Sequence, residues 1–111
     1  MTTVSDAIEK LGLKVHNLAD PERQITSVYA GDLLSWVMGH ANESEALVTI
    51  MSNINVLAVA SLLDLSCVVL CENVAPDSDF VKVAKDKKIN IFSTGHTAYE
   101  VCVGFSELLK K

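Results

Sequence analysis

Three short apolar runs, Ala46 to Met51, Ser66 to Cys71 and Ile89 to Phe92, are each followed by a segment of helical character. This alternation constrains the chain more than any other feature. Near-continuously apolar strands that alternate with helices belong to parallel sheets covered on both faces and joined by right-handed crossovers. The expected fold is therefore α/β, a three-layer α/β/α arrangement with a mainly parallel sheet. The helical segment from Asn55 to Leu63 is apolar on nearly all sides and is expected to be the most buried. Those from Ser78 to Lys87 and from Thr97 to Leu109 are amphipathic. In the last, Ala98, Val101, Cys102, Phe105 and Leu109 share one face, while Lys110 and Lys111 suit the negative end of its dipole.

The first 40 residues are less regular. Thr3-Val4-Ser5-Asp6 matches a capping box, and Val4, Ala7, Ile8 and Leu11 follow at helical spacing until Gly12 closes the helix. A short strand is expected at about Lys14 to His16, then a turn at Asp20-Pro21. A second strand is expected over Ile25 to Tyr29. Asp32 reads as the N-cap of a short helix running through Val37 and ended by Gly39.

The 111 residues suit one domain spanning 1–111, and half of them are apolar. Even so, Asp64, Glu72 and Asp77 interrupt the most hydrophobic region well before the roughly 18 residues of a membrane span, so no membrane partner is expected. The N-terminus lacks a basic stretch followed by an apolar one, which implies a cytoplasmic protein. The net charge is −5, and the densest basic run, Lys82 to Lys88, is broken by Asp86, so nucleic acid is not an expected partner. Cys67 and Cys71 lie about 13 Å apart if they occupy one strand. That separation forbids a disulfide and shared metal ligation, leaving reduced, buried thiols. His16 and His40 lack a neighbouring Cys or carboxylate cluster at metal spacing, and no metal or cofactor is implied.

Ligands of open parallel sheets gather where the strands end and the following helices begin. Three loops meet that condition: Ser52 to Asn55, Glu72 to Ser78, and Ser93 to Thr97. Ser52, Asn53 and Asn55 offer short amides and a hydroxyl. Ser93, Thr94, His96 and Thr97 offer hydroxyls and an imidazole that is cationic when protonated. Together they could hold a phosphate or carboxylate. The alternative is plain helix capping, above all by Asn55 and Thr94. Catalytic motifs are missing: no G-x-x-x-x-G-K-[ST], no G-x-G-x-x-G after a strand, no H-E-x-x-H and no C-x-x-C. The chain does not read as an enzyme.

Around Asp32 to Met38, Leu33, Leu34, Trp36, Val37 and Met38 cover more of a helix than one core-facing stripe needs. Trp36 and Met38 are candidates for a homodimer interface, with core burial as the alternative. The segment from Glu22 to Gly39, with Arg23 and Thr26, Gly31-Asp32-Leu33-Leu34-Ser35 and Val37-Met38-Gly39, resembles the signature region of DRTGG domains. Asn55 to Ala60 (N-x-x-A-V-A) resembles them too, and the similarity runs along essentially the whole chain. The chain departs from the family name at Glu22, at Ser27 and Val28 in place of paired glycines, and at Trp36, where the resemblance implies a polar residue.

The resemblance implies a fold similar to the N-terminal domains of HPr kinase/phosphorylase and, more distantly, Mur ligases. Such domains accompany CBS domains in regulated pyrophosphatases and catalytic domains in phosphotransacetylases, where they are accessory. It therefore implies a non-catalytic accessory module; the strand-end loops and the Trp36 surface add the expectation that it senses a nucleotide or other phosphorylated small molecule and dimerises. The alternative is a protein-interaction domain docking onto a larger redox or signalling complex.

Overall fold

The computed structural model describes residues 1–110, so the expected pairing of Lys111 with a helix dipole lies outside the described residues. The elements are α1 (Val4–Leu11), β1 (Lys14–Asn17), β2 (Val28–Ala30), α2 (Leu34–His40), β3 (Ala46–Thr49), α3 (Ile54–Leu63), β4 (Cys67–Leu70), α4 (Ser78–Lys87), β5 (Ile91–Ser93) and α5 (Ala98–Leu109). The sheet order is β1-β5-β4-β3-β2. β2, β3, β4 and β5 are mutually parallel, and β1 joins β5 antiparallel, so the sheet is mixed.

Side chains that alternate along each strand divide the core in two. Leu47, Val68, Leu70 and Ile91 face a cluster completed by Val37 of α2, Val56, Leu57 and Ala60 of α3, and Phe80 and Ala84 of α4. Ala46, Val48, Cys67, Val69 and Phe92 face a second cluster with Val4 and Ala7 of α1 and Val101 and Phe105 of α5. The result is the expected three-layer α/β/α fold. β3 and β4 lie in the middle of the sheet and are buried on both faces, which is why their sequences carry no polar alternation. As expected, Cys67 and Cys71 are buried, unbridged thiols. Burial pushes the Cys67 thiol up to about 12.

Several local expectations hold. Thr3 and Asp6 form a reciprocal capping box on α1, and Gly12 ends it at φ 63°, where a side chain would be strained. Others need correction. The second strand begins at Val28 and not Ile25, because Ile25 is drawn into the α1/α5 core while its N–H bonds Thr2 O at 2.9 Å. Asp32 does not cap α2, whose N-cap is Leu33 with no side-chain bond; the carboxylate turns instead to two donors at the end of β3. α2 passes through Gly39 and ends at His40, where the chain turns Ala41 into the core.

α3 is not buried on all sides. Ile54 is 49% and Leu62 71% exposed, because a helix in an outer layer has only one side covered by the sheet. Its cap is Asn53, whose Oδ1 accepts the Asn55 N–H at 2.7 Å, so Asn55 is the capped residue and not the cap. Likewise Thr97, and not Thr94, caps α5 in a capping box with Glu100.

Candidate functional site

Because β3, β4 and β5 are parallel, the 52–55, 72–78 and 93–97 segments all emerge from one edge of the sheet. The second and third are tied together. Glu72 N–H donates to His96 O at 2.8 Å, Asn73 N–H to Thr94 O at 2.9 Å, and Thr94 N–H to Leu70 O at 2.9 Å. Glu72 and Asn73 hold consecutive left-handed conformations at φ 61° and 62°, a costly geometry for Glu that clusters at functional sites. Gly95 permits the close approach: a Cβ there would lie 2.9 Å from Asn73 Oδ1.

The first loop stands apart from the third. β4 separates β3 from β5, so the two loops begin about 10 Å apart, two strand spacings. They also lead to opposite faces, since Ser52, Asn53 and Asn55 precede α3 in the first helical layer and Ser93, Thr94, His96 and Thr97 precede α5 in the second. Ser52 is half-buried, whereas Asn53 and Asn55 are exposed.

The side chains of the third loop are largely engaged within the protein. Ser93, buried, shares a 2.6 Å hydrogen bond with His16 Nε2, reaching across from the antiparallel strand. Thr94 Oγ1 accepts the His96 N–H at 3.3 Å. Thr97 Oγ1 accepts the Glu100 N–H, and Glu100 Oε1 accepts the Thr97 N–H at 2.9 Å while lying 3.5 Å from His96 Nδ1. The Thr97 N–H bond is the chief reason the Glu100 carboxyl sits below its usual range.

Thr94 and His96 line a cleft of about 230 Å³ together with Lys10, Leu11, Leu13 and Glu100. None of Ser52, Asn53 and Asn55 reaches it. Among the described residues, no group of three or more His, Cys, Asp or Glu side chains could hold a metal ion. No helix among them is long and apolar enough to cross a membrane.

Two residues at this edge escape a reading of the sequence. His16 joins the site only because β1 runs antiparallel to β5. Asp32 stands just past β2, where its Oδ1 accepts from Thr49 Oγ1 at 2.8 Å and from Ile50 N–H at 2.9 Å. The strand-end rule applied to 46, 66 and 89 would have found Asp32 had it also been applied to β2.

His16 provides a pH test. Burial, and then Lys14, hold its pKa below the ordinary 6.5. The unfolded chain therefore binds the proton more readily than the folded one. Its contribution to stability is complete above that value and is lost as pH falls through it toward the lower folded pKa. Urea midpoints measured from about pH 7.5 to about pH 5 should fall, and His16→Gln should remove that part of the slope. Equal slopes in the two proteins would show that His16 does not carry the effect.

No family model matches the sequence, and no curated protein matches it. A solved structure does match. The crystal structure of the CBS and DRTGG domains of the regulatory region of Clostridium perfringens pyrophosphatase, complexed with the activator diadenosine tetraphosphate, superposes with a TM-score of 0.72 at 15% identity. The fold is similar to that of this region. The match covers 97% of this chain and 46% of that one, so the chain spans less than half of its neighbour's length.

The surface around Trp36 is equally defined. Leu33 is 65% and Trp36 58% exposed, and the indole stacks on His40 at 4.2 Å. Leu33, Trp36 and His40 follow one another at helical spacing and form one stripe. Met38, also exposed, lies about 200° around the helix from Trp36, with the buried Val37 between them in sequence. Arg23 of the resembling segment is structural: it bonds Asp64 Oδ1 at 3.0 Å, Asp64 O at 2.8 Å and Ser44 Oγ at 3.0 Å, tying the chain before β2 to the end of α3. Ser27 and Val28 line an open cleft of about 330 Å³ with Cys102 and Ser106 of α5.

Proposed function

We propose that this chain is a DRTGG-type regulatory module, non-catalytic and cytoplasmic, that senses a nucleotide or other small phosphorylated ligand at the C-terminal edge of its sheet. The observation that carries the reading is the fold shared, over nearly the whole chain, with a regulatory region whose structure holds a dinucleotide activator. The segment from Arg23 to Gly39 supports it through its resemblance to the same domain family. Ser93, Thr94, His96 and Thr97 form the nearer half of the site, with Ser52, Asn53 and Asn55 about two strand spacings away.

Thermal denaturation with ATP, AMP and diadenosine tetraphosphate tests the proposal. A ligand at a hundred times its dissociation constant contributes about 2.7 kcal/mol, enough to raise the midpoint by roughly 10 °C in a chain of this size. Ser93→Ala combined with Thr94→Ala should reduce the ligand-induced shift relative to that variant's own midpoint. If no nucleotide moves the wild-type midpoint, the sensing function is wrong. Phosphoryl transfer from ATP by the purified chain would overturn its non-catalytic part.

The module dimerises through the Leu33–Trp36 stripe; Met38, on the opposite side of α2, lies outside it. An exposed tryptophan beside an exposed leucine is the kind of anchor that interfaces bury. Sedimentation at tens of micromolar should give a dimer that Trp36→Asp dissociates. A wild-type monomer would exclude self-association and favour the second reading, in which the same stripe docks onto a larger redox or signalling complex.

A further inference from the structure

We propose that the charged end of an anionic ligand, an inorganic phosphate or a phosphate monoester, is held in the cleft between the end of α1 and the β5–α5 loop, where Lys10 supplies the positive charge. This rests on the sensing function above and adds to it a residue that no strand-end loop contains. The topology brings it there. Lys14, the first residue of β1, pairs with Ser93, the last of β5, because the two strands run in opposite directions. The end of α1 and its turn into β1 are thereby carried to the edge where the parallel strands finish.

Size limits what the cleft can take. Its volume of about 230 Å³ falls below the roughly 300–1,000 Å³ typical of sites that enclose a drug-sized ligand. It suits one charged group, with the remainder of the ligand extending along the sheet edge. Apart from Glu100, the lining suits an anion. Leu11 is half-buried and Leu13 buried, which gives the cleft an apolar wall that strengthens electrostatic attraction relative to open water.

Thr94 Oγ1 accepts one hydrogen bond and keeps its own hydrogen to donate. Lys10 forms no ion pair with a carboxylate among the described residues. Glu100 lines the same cleft, but its Oε1 accepts the Thr97 N–H and lies beside His96, so its charge mainly offsets the positive start of α5. Lys10, in the last turn of α1, is thus a cation with no carboxylate paired to it among the described residues.

The test uses ¹⁵N-labelled protein titrated with inorganic phosphate and, separately, with AMP at matched ionic strength. Phosphate should shift the amides of residues 10–13 and 94–97 saturably. Lys10→Met should weaken that response about tenfold, the loss expected from one charge-assisted contact. Lys10→Arg should retain it. The lysine is exposed, so resonances away from the cleft should stay in place and report an intact fold.

An undiminished response in Lys10→Met, or no phosphate response in the wild type, overturns the assignment. AMP perturbing residues 52–55 or 93–97 equally in wild type and Lys10→Met also overturns it, while leaving the sensing function standing. A Lys10-dependent phosphate response with no response to any nucleotide supports the anion site and removes nucleotide sensing.

Discussion

Replacing Asn90 with leucine should cost the protein about 3 kcal/mol, a large share of the roughly 5–15 kcal/mol that holds a domain of this kind together. Asn90 is 4% exposed and sits at the entry to β5, inside an otherwise apolar run. Its Oδ1 accepts the N–H groups of Ala19 and Asp20 at 2.8 and 2.9 Å, and its Nδ2 donates to Asp20 O at 3.1 Å and Ser66 O at 3.0 Å. One side chain therefore satisfies four backbone groups and pins the turn after β1 to the start of β4 and β5.

Leucine has the same branching, though it is bulkier, and leaves all four without their partner. Each lost bond is worth about 0.5–1.5 kcal/mol, and an orphaned buried group costs more. Water can replace the partners at Ala19 and Asp20, which are exposed, but not at the buried Ser66. Asn90→Asp should be worse, since it would place a carboxylate against two carbonyls. Urea denaturation at constant m-value measures both changes. A loss below about 1 kcal/mol for Asn90→Leu would mean that the turn relaxes and finds other partners.

Phe92→Ala should cost about 3–5 kcal/mol, the range for deleting a fully buried aromatic side chain. Phe92 is 0% exposed and stands in the second core cluster with Val4, Val101 and Phe105, so its removal leaves a cavity between the sheet and the α1/α5 layer. The damage should be confined to that layer. Phe80→Ala, in the cluster on the opposite face, should add to it nearly independently, because the sheet separates the two sites. A double-mutant cycle tests this: coupling above about 1 kcal/mol would show that the faces communicate through the strands.

The double cost approaches the whole stability, so the cycle needs a stabilising condition such as moderate sulfate. If phosphate binds beside α1, Phe92→Ala should also weaken it, since α1 packs through that cluster.

Much of the architecture is legible in the sequence. The apolar runs from Ala46 onward and the segments between them fixed β3, β4 and β5 with α3, α4 and α5 to within a residue or two. Periods of 2 and 3.6 are local properties of the chain, and so are capping boxes such as Thr3 with Asp6 and Thr97 with Glu100. The edge at which ligands should gather followed from parallel order alone.

Caps shifted where a second polar residue competed: Asn53 took the place expected of Asn55, and Thr97 that of Thr94. At such starts the order of Ser, Thr and Asn residues is ambiguous, and the turn of the backbone chooses among them. The exposed outer side of α3 escapes the sequence for another reason. Hydrophobicity states what a residue prefers, whereas exposure of Ile54 and Leu62 depends on whether a further layer lies outside.

The sequence by itself determined the alternation of strands and helices, the buried thiols of Cys67 and Cys71, and the sheet edge from which the strand-end loops emerge, since each follows from the local pattern of the chain or from the parallel order that pattern implies. Only the tertiary structure decided that β1 enters antiparallel, bringing His16 to Ser93 and Lys10 into one cleft with Thr94, and that Asp32 bonds the end of β3. Those pairs lie 17 to 84 positions apart in sequence. Their partners are selected by how helical layers pack on the two faces of the sheet, and no local period records that choice.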